Sequence, residues 1–503
     1  MFEEPLTLNP VLSTTTFEND VYQLIFDGLT RIDDRGHLVP DLARVIPTQR
    51  NGGISRDGKT ITYRLVSNVR WQDGKPLTSA DVIYTWQQIM NPANNVVQRT
   101  GYDKIASISA PDADTVIIHL RAPYEPVRWL FVSGSLGSII PKHIFARYAS
   151  LNKVALPSAI GSGPYVLKSW NRGAEMRFEA NPQYFGGLPK IPHVVVRFLT
   201  DQNTLILGLR THEVDVIYSI SPLQAQTVRT IPDTTLRSVA SDYYTHLAFN
   251  TSRAPLNDKY VRLALCYALD EDTIFHKIYH GLGEASPTHL PPTSLGADPS
   301  IRYYPYDPTK AAALLKADGW KLAANGVRYK AGRPLSFSIS TVSGVKDREE
   351  DEVLLQSYWK AIGASVSVKN FAAQTFFAPA SQNGPLYSGG TDVSLFNSDA
   401  GPGTNDEPVI APWNITPAGQ NISRFQNAEI GRLEVAGVQT YDPSQRAKIY
   451  RRINRILIDE VPEYVLDWVP QIAVSNTDIQ NVRPTPAGSD LWNIHDWTIS
   501  SSS

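Results

Sequence analysis

Apolar residues recur along this chain with two different periods, and the period switches often. In "NDVYQLIFDGL" the spacing of Val21, Leu24, Ile25 and Leu29 places them on one helix face. In "NVRWQDGKPLTSADVIYTW" a tight turn at Asp73-Gly74 leads into Thr78-Ser79-Ala80-Asp81, and Val82, Trp86 and Ile89 then line a second helical face. Thr78 and Asp81 have the spacing of a capping box, in which a hydroxyl and an acid satisfy each other's main-chain N–H groups. Two more helices are predicted to start at Asp307-Pro308 and Asp442-Pro443. In each the aspartate caps, and the proline occupies the first turn, where its missing N–H costs nothing. The later one carries Ile449, Ile453, Ile456 and Leu457 and is expected to stop near Pro462.

Between these helices the period falls to two. Ile61, Tyr63 and Leu65 alternate, as do Val116, Ile118 and Leu120, then Val194, Val196 and Phe198, then Leu335, Phe337 and Ile339. Strands that are sometimes hairpin-linked and sometimes separated by helices indicate an α/β chain with more than one sheet. No repeat of fixed period and no long linker interrupts the pattern. The longest aperiodic stretch is "DAGPGTNDEPVIAPWNITPAGQ", Asp399 to Gln420, a length that suits a binding loop. The closing serines, Ser500 to Ser503, read as a disordered end.

At 503 residues the chain exceeds what one hydrophobic core serves, so two or three domains are expected. Lys plus Arg (47) nearly balance Asp plus Glu (49), and no basic cluster marks a nucleic-acid or membrane surface. One cysteine, Cys266 in the helical run "RLALCYALD", excludes an internal disulfide framework and a thiolate metal site. It reads as a packed core thiol. The opening "MFEEPLTLNP" lacks the positive charge and apolar stretch of a signal peptide, which fits cytoplasmic residence or a trimmed leader.

Catalytic signatures are missing. The ten histidines are scattered, and His143, His193, His212, His246 and His289 have no partner at metal-ligand spacing. "GSGPY" and "SGSLG" hold the letters of a nucleophile elbow in the wrong order, and "GLGEAS" lacks the third glycine of a dinucleotide fingerprint. The reading is a protein that is not an enzyme and uses no cofactor and no metal.

The segment "DGKTITYRLVSNVRWQDGKPLTSADVIYTW" resembles the signature region of solute-binding protein family 5, the oligopeptide- and dipeptide-binding proteins of bacterial ABC importers (cluster C of the periplasmic binding proteins). Other blocks follow in the family's order: "FDGL" and "PDLA", "GSGPYVL" and "NPQYF", "PLND" and "VRLALCYALD", "YDPTKAAALL" and "YDPSQRAKIYRRIN". The resemblance covers nearly the whole chain. Most of these residues are folding devices that touch no ligand.

The resemblance implies a three-domain, periplasmic-binding-protein type II-like α/β fold, two lobes closing on a ligand cleft plus an inserted domain. Domain I would comprise 1–36, 158–247 and 471–503, domain II 37–157, and domain III 248–470. It implies an extracytoplasmic monomer that captures a peptide and passes it to membrane permease subunits, with no nucleic-acid partner. The family strand expected before "EEPLTLNP" is reduced here to Met1 and Phe2, which suggests a trimmed chain. Site residues carry over by position. Asp399 falls on the acid that neutralises a peptide's α-ammonium, or it caps the following Gly-Pro-Gly turn. Phe396 falls on an aromatic wall, Asn397 on a backbone-contact position, Tyr102 on a ligand-reaching tyrosine or a core one, and Asp27 on a cleft acid or a helix-end surface residue. Where peptide binders often have tryptophan, "FAAQTFF" has Ala373, which reshapes the pocket. Trp413 offers another stacking surface. That departure keeps binders of oligosaccharides, opines and nickel chelates in view. Independently of it, a receptor-coupled sensor using the same fold and a hydrolase on this scaffold stay open.

Overall fold

The computed structural model describes residues 4–12, 16–96, 98–154, 159–199, 201–218, 220–400, 403–486 and 490–500. Met1 and Phe2, Gly401 and Pro402 of the long irregular stretch, and Ser501 to Ser503 lie outside the described residues. The chain divides into two compact units, one of residues 1–239, 438–441 and 471–503, the other of 240–437 and 442–470.

In the first unit, helix α1 (Thr16–Ile25) buries Val21, Leu24 and Ile25 as their spacing requires, while Leu29 is buried beyond the helix end. The glycines of "GSGPY" serve that helix. Gly163 donates its N–H to the Ile25 carbonyl at 2.8 Å, and a Cβ on Gly161 or Gly163 would overlap the Ile25 main chain. Strand β1 (Thr60–Arg64) carries Ile61 and Tyr63 into the core. After it the Asp73-Gly74 turn closes with Gly74 N–H on the Trp71 carbonyl at 2.8 Å, at a positive φ of 83° that glycine adopts without strain. Helix α2 (Ser79–Met90) then starts at Thr78, whose N–H donates to Asp81 at 2.9 Å within a capping box. The second Asp81 oxygen accepts the Lys142 N–H at 2.9 Å, so the cap also ties α2 to a distant segment.

Helix α2 packs on β2 (Ile105–Asp112) and β3 (Thr115–Leu120), which join β1 in an antiparallel sheet of order β1-β3-β2. A second antiparallel sheet, order β4-β5-β6, is built from β4 (Tyr165–Asn171), β5 (Glu175–Ala180) and β6 (His193–Arg197). Strand β7 (Val216–Tyr218) pairs antiparallel with Ala473 to Ser475.

Strand β8 (Thr234–Phe249) passes from the first unit to the second between Val239 and Ala240. In the second unit it lies inside a mixed sheet. Helix α3 (Lys259–Tyr267) buries Cys266 completely and packs against α4 (Pro308–Ala317), whose cap Asp307 accepts the Lys310 N–H at 2.8 Å. Strands β9 (Ser336–Ser340) and β10 (Ser365–Val368) run parallel, and α5 (Lys346–Ala361) lies on them with Trp359 buried 5.4 Å from the Phe337 ring. Strand β11 (Val393–Asp399) is parallel to β9 and antiparallel to β8. Helix α6 (Pro443–Glu460) is capped by Asp442, which accepts Gln445 N–H at 2.8 Å, and ends two residues before Pro462. Arg262, buried, donates to the Val461 carbonyl at 2.9 Å and holds that end. Strand β12 (Glu463–Asn476) follows β8 in the order β10-β9-β11-β8-β12 and passes back to the first unit between Pro470 and Gln471, where β7 pairs with it.

Candidate ligand-binding site

The register of β8 against β11 pairs Tyr243 with Asp399, Tyr244 with Ser398, Thr245 with Asn397 and His246 with Phe396. Because successive strand residues point to opposite faces, Asn397 and Asp399 share one face with Thr245 and Tyr243. Phe396 and Ser398 share the other with His246 and Tyr244. The trio expected to meet one ligand is therefore divided by the pleat. Phe396 is buried in an aromatic cluster, 6.2 Å from Phe376, 6.3 Å from Phe377 and 4.6 Å from His246 between ring centroids. Asn397 accepts a hydrogen bond from Thr245 Oγ1 at 3.0 Å. Asp399 stands exposed where the strand ends, and the next residue, Ala400, donates its N–H to the Asp242 carbonyl at 2.9 Å.

Two carboxylates thus meet at this strand end. Burial pushes the Asp242 carboxyl up to about 8, and the charge of Asp399 adds to the push. Burial, then Asp399 and Asp242, also raise the Tyr243 hydroxyl. Ala373 sits exposed on a short helix, Ala373–Phe376, whose Phe376 belongs to the aromatic cluster. Trp413 is 46% exposed and donates Nε1–H to Glu407 at 2.9 Å, which ties the half-exposed ring to its own loop.

Asp27 and Tyr102 belong to the first unit. Asp27 is buried, contrary to a surface position at a helix end. It accepts the Ser162 hydroxyl at 2.7 Å and lies 3.6 Å from Arg31, which also pairs with Asp41 and donates to the Tyr184 hydroxyl at 2.9 Å. Burial and the Asp41 charge push the Asp27 carboxyl up to about 8 against the opposing pull of Arg31. Tyr102 is buried too. Its hydroxyl donates to the Leu130 carbonyl, and its ring meets Phe131 edge-on at 5.4 Å. The first unit also holds a cavity of about 530 Å³ lined by Val194, Val196, Val216, Leu491, Ile494 and Trp497, which includes neither residue.

A second group in the second unit carries no sequence signature. Glu463, at the start of β12, lies 2.9 Å from His246 Nδ1 and 3.0 Å from His289 Nε2, and His246 Nε2 lies 2.9 Å from Ser398 Oγ. Burial alone would raise the Glu463 carboxyl, but the two histidines outweigh it and hold it well below the usual carboxylate range. Nearby in the same unit Glu271, Asp351 and Asp467 are buried together, and Tyr279 donates to Asp351 at 2.8 Å. Among the described residues no group of three or more His, Cys, Asp or Glu is placed to hold a metal ion, and no helix is long and apolar enough to cross a membrane.

Comparison with known proteins places this architecture. Residues 37–419 match the family described as bacterial extracellular solute-binding proteins, family 5 Middle. The chain belongs to this family. Within it, the protein is 29% identical over 459 residues to Protein XP55 of Streptomyces lividans, covering 90% of this chain and 80% of that one. It is 25% identical to the oligopeptide-binding protein AppA of Bacillus subtilis, covering 99% of this chain and 90% of AppA. The structure of NikZ from Campylobacter jejuni, in complex with Ni(L-His), superposes with a TM-score of 0.79 at 25% identity, covering 99% of this chain and 98% of NikZ. This family 5 protein therefore has relatives named for peptide binding and a structural neighbour holding a nickel chelate.

Proposed function

We propose that this family 5 protein is the extracytoplasmic receptor of an ABC importer, and that it captures a peptide and delivers it to the membrane permease. Asp399 carries the reading. A peptide's α-ammonium needs a carboxylate wherever it leaves water, since an unpaired buried charge costs several kcal/mol. Asp399 stands exposed at the end of β11, beside a carboxyl at Asp242 that stays protonated near neutrality, so it can receive that charge. Asn397, on the same face, supplies amide groups for the peptide backbone. The oligopeptide-binding relative AppA supports the cargo class.

The three-domain division (1–36, 158–247 and 471–503; 37–157; 248–470) and closure of the lobes on cargo are part of this proposal. A smaller radius of gyration with saturating ligand is expected, and an unchanged radius counts against closure. Transport by itself requires no bond making. A second reading rests on Trp413: its half-open indole suits a sugar ring or an aromatic side chain. Mass spectrometry of ligand released from the purified, denatured protein separates the two. Recovery of peptides supports the first reading, and recovery of an oligosaccharide, an opine or a metal chelate overturns it.

A further inference from the structure

We propose that Ser398, His246 and Glu463 form a nucleophilic relay, through which the second unit takes acyl groups from small esters and passes them to water. The inference stands apart from peptide capture. The three residues lie on adjacent strands, and the order β11-β8-β12 puts the histidine strand between those of the serine and the glutamate. Ser398 Oγ is 2.9 Å from His246 Nε2, and His246 Nδ1 is 2.9 Å from Glu463 Oε2. A neutral imidazole has one N–H. With that hydrogen on Nδ1, toward the carboxylate, the lone pair of Nε2 faces the serine hydroxyl and can take its proton. This constellation is recognised by geometry and roles, not by chain order or fold.

The surroundings hold the relay in place. The His246 ring is wedged between Tyr244 at 4.9 Å and Phe396 at 4.6 Å, and Glu463 is steadied on the same oxygen by His289 at 3.0 Å. A buried glutamate paired with two histidines has no need of a serine. The relay nevertheless extends from those buried residues to half-buried Ser398, next to exposed Asp399. Tyr244 stands opposite Ser398 in register with its ring fully buried, and its hydroxyl hydrogen-bonds the Ser398 side chain. From there it can turn its hydrogen bond to an oxyanion forming over Ser398.

In the reaction Ser398 Oγ bonds to the ester carbonyl carbon while its proton moves to His246 Nε2. The C–O bond to the alcohol breaks, and the departing alkoxide takes that proton. Water then attacks the acyl-serine with His246 as base, releasing the acid and restoring the serine.

The test uses the full chain, a fluorophosphonate probe with peptide mapping, and turnover of p-nitrophenyl acetate. It requires no peptide cargo, so its outcome leaves the transport reading untouched. A single adduct on Ser398 is expected, with turnover abolished in Ser398→Ala. In His246→Gln, labelling should slow about a hundredfold, in line with the loss of a general base. Tyr244→Phe should slow turnover by about the same factor, as for a lost oxyanion donor. Melting curves check that each variant is folded. If His246→Gln does not fold, the selectivity of the probe for Ser398 over the other serines of the wild-type chain decides. No adduct on the folded wild-type protein, or Ser398 labelling at the same rate in His246→Gln, overturns the relay.

Discussion

Asp399 lies where β11 ends, and its charge helps to hold the carboxyl of Asp242 at about 8. Asp242 is buried beside the strand end, while Asp399 is exposed to solvent. One acid of the pair is neutral at pH 7, and the other stands in solvent at the strand end.

If closure on cargo buries a free amine against Asp399, Asp399→Asn should weaken binding by about 3–5 kcal/mol, the usual cost of truncating one partner of a buried pair. That is about two to four decades in Kd. N-acetylating the peptide removes the complementary charge, so mutation and acetylation should be nearly redundant in a double cycle. Calorimetry on wild type and variant, with free and acetylated forms of one peptide, measures it. An equal loss against the acetylated peptide shows that Asp399 does not read the amine.

The pH dependence of stability follows from Asp242 and Asp351, each pushed up to about 8, by burial first. Folded protein keeps protons on these groups that unfolded aspartate releases near pH 3.9. The stability they contribute is complete below about pH 4 and is lost as pH rises through about 8. Thermal melts from pH 5 to pH 9 should therefore fall more steeply for wild type than for Asp351→Asn. Parallel curves would mean that Asp351 is ionised in the folded chain.

Thr78→Ala removes the hydroxyl of the α2 capping box and should cost about 1 kcal/mol, within the range for a lost N-cap. Ligand affinity should not change. Denaturant titration and calorimetry on the same preparation test both halves, and lost affinity at unchanged stability would give the turn-and-helix segment a binding role.

Arg31 is the cation between two buried carboxylates, 3.6 Å from Asp27 and paired with Asp41. Arg31→Met should destabilise the first unit by about 3–5 kcal/mol, because the buried Asp41 carboxylate loses its cation while Asp27, held at about 8, stays protonated near neutrality. Adding Asp41→Asn should recover part of that loss, since one uncompensated charge disappears. Chemical denaturation of the single and double variants reads the difference, and an additive penalty would show that Arg31 acts through packing alone.

The sequence by itself determined the local devices and, through their order, the family. The starts of α2, α4 and α6 follow from Thr78, Asp307 and Asp442 because a cap and its first turn are settled within four residues. Strand periods were legible for the same reason, and period two alone separates Phe396 from Asn397 and Asp399. What surrounds those residues was decided by tertiary structure. His246 meets Ser398 across 152 residues of chain, and His289 meets Glu463 across 174. Asp27 becomes buried only because Ser162 and Arg31 converge on it. No local pattern encodes such meetings, since they depend on which strands the folded sheet brings side by side and on how much water that pairing excludes.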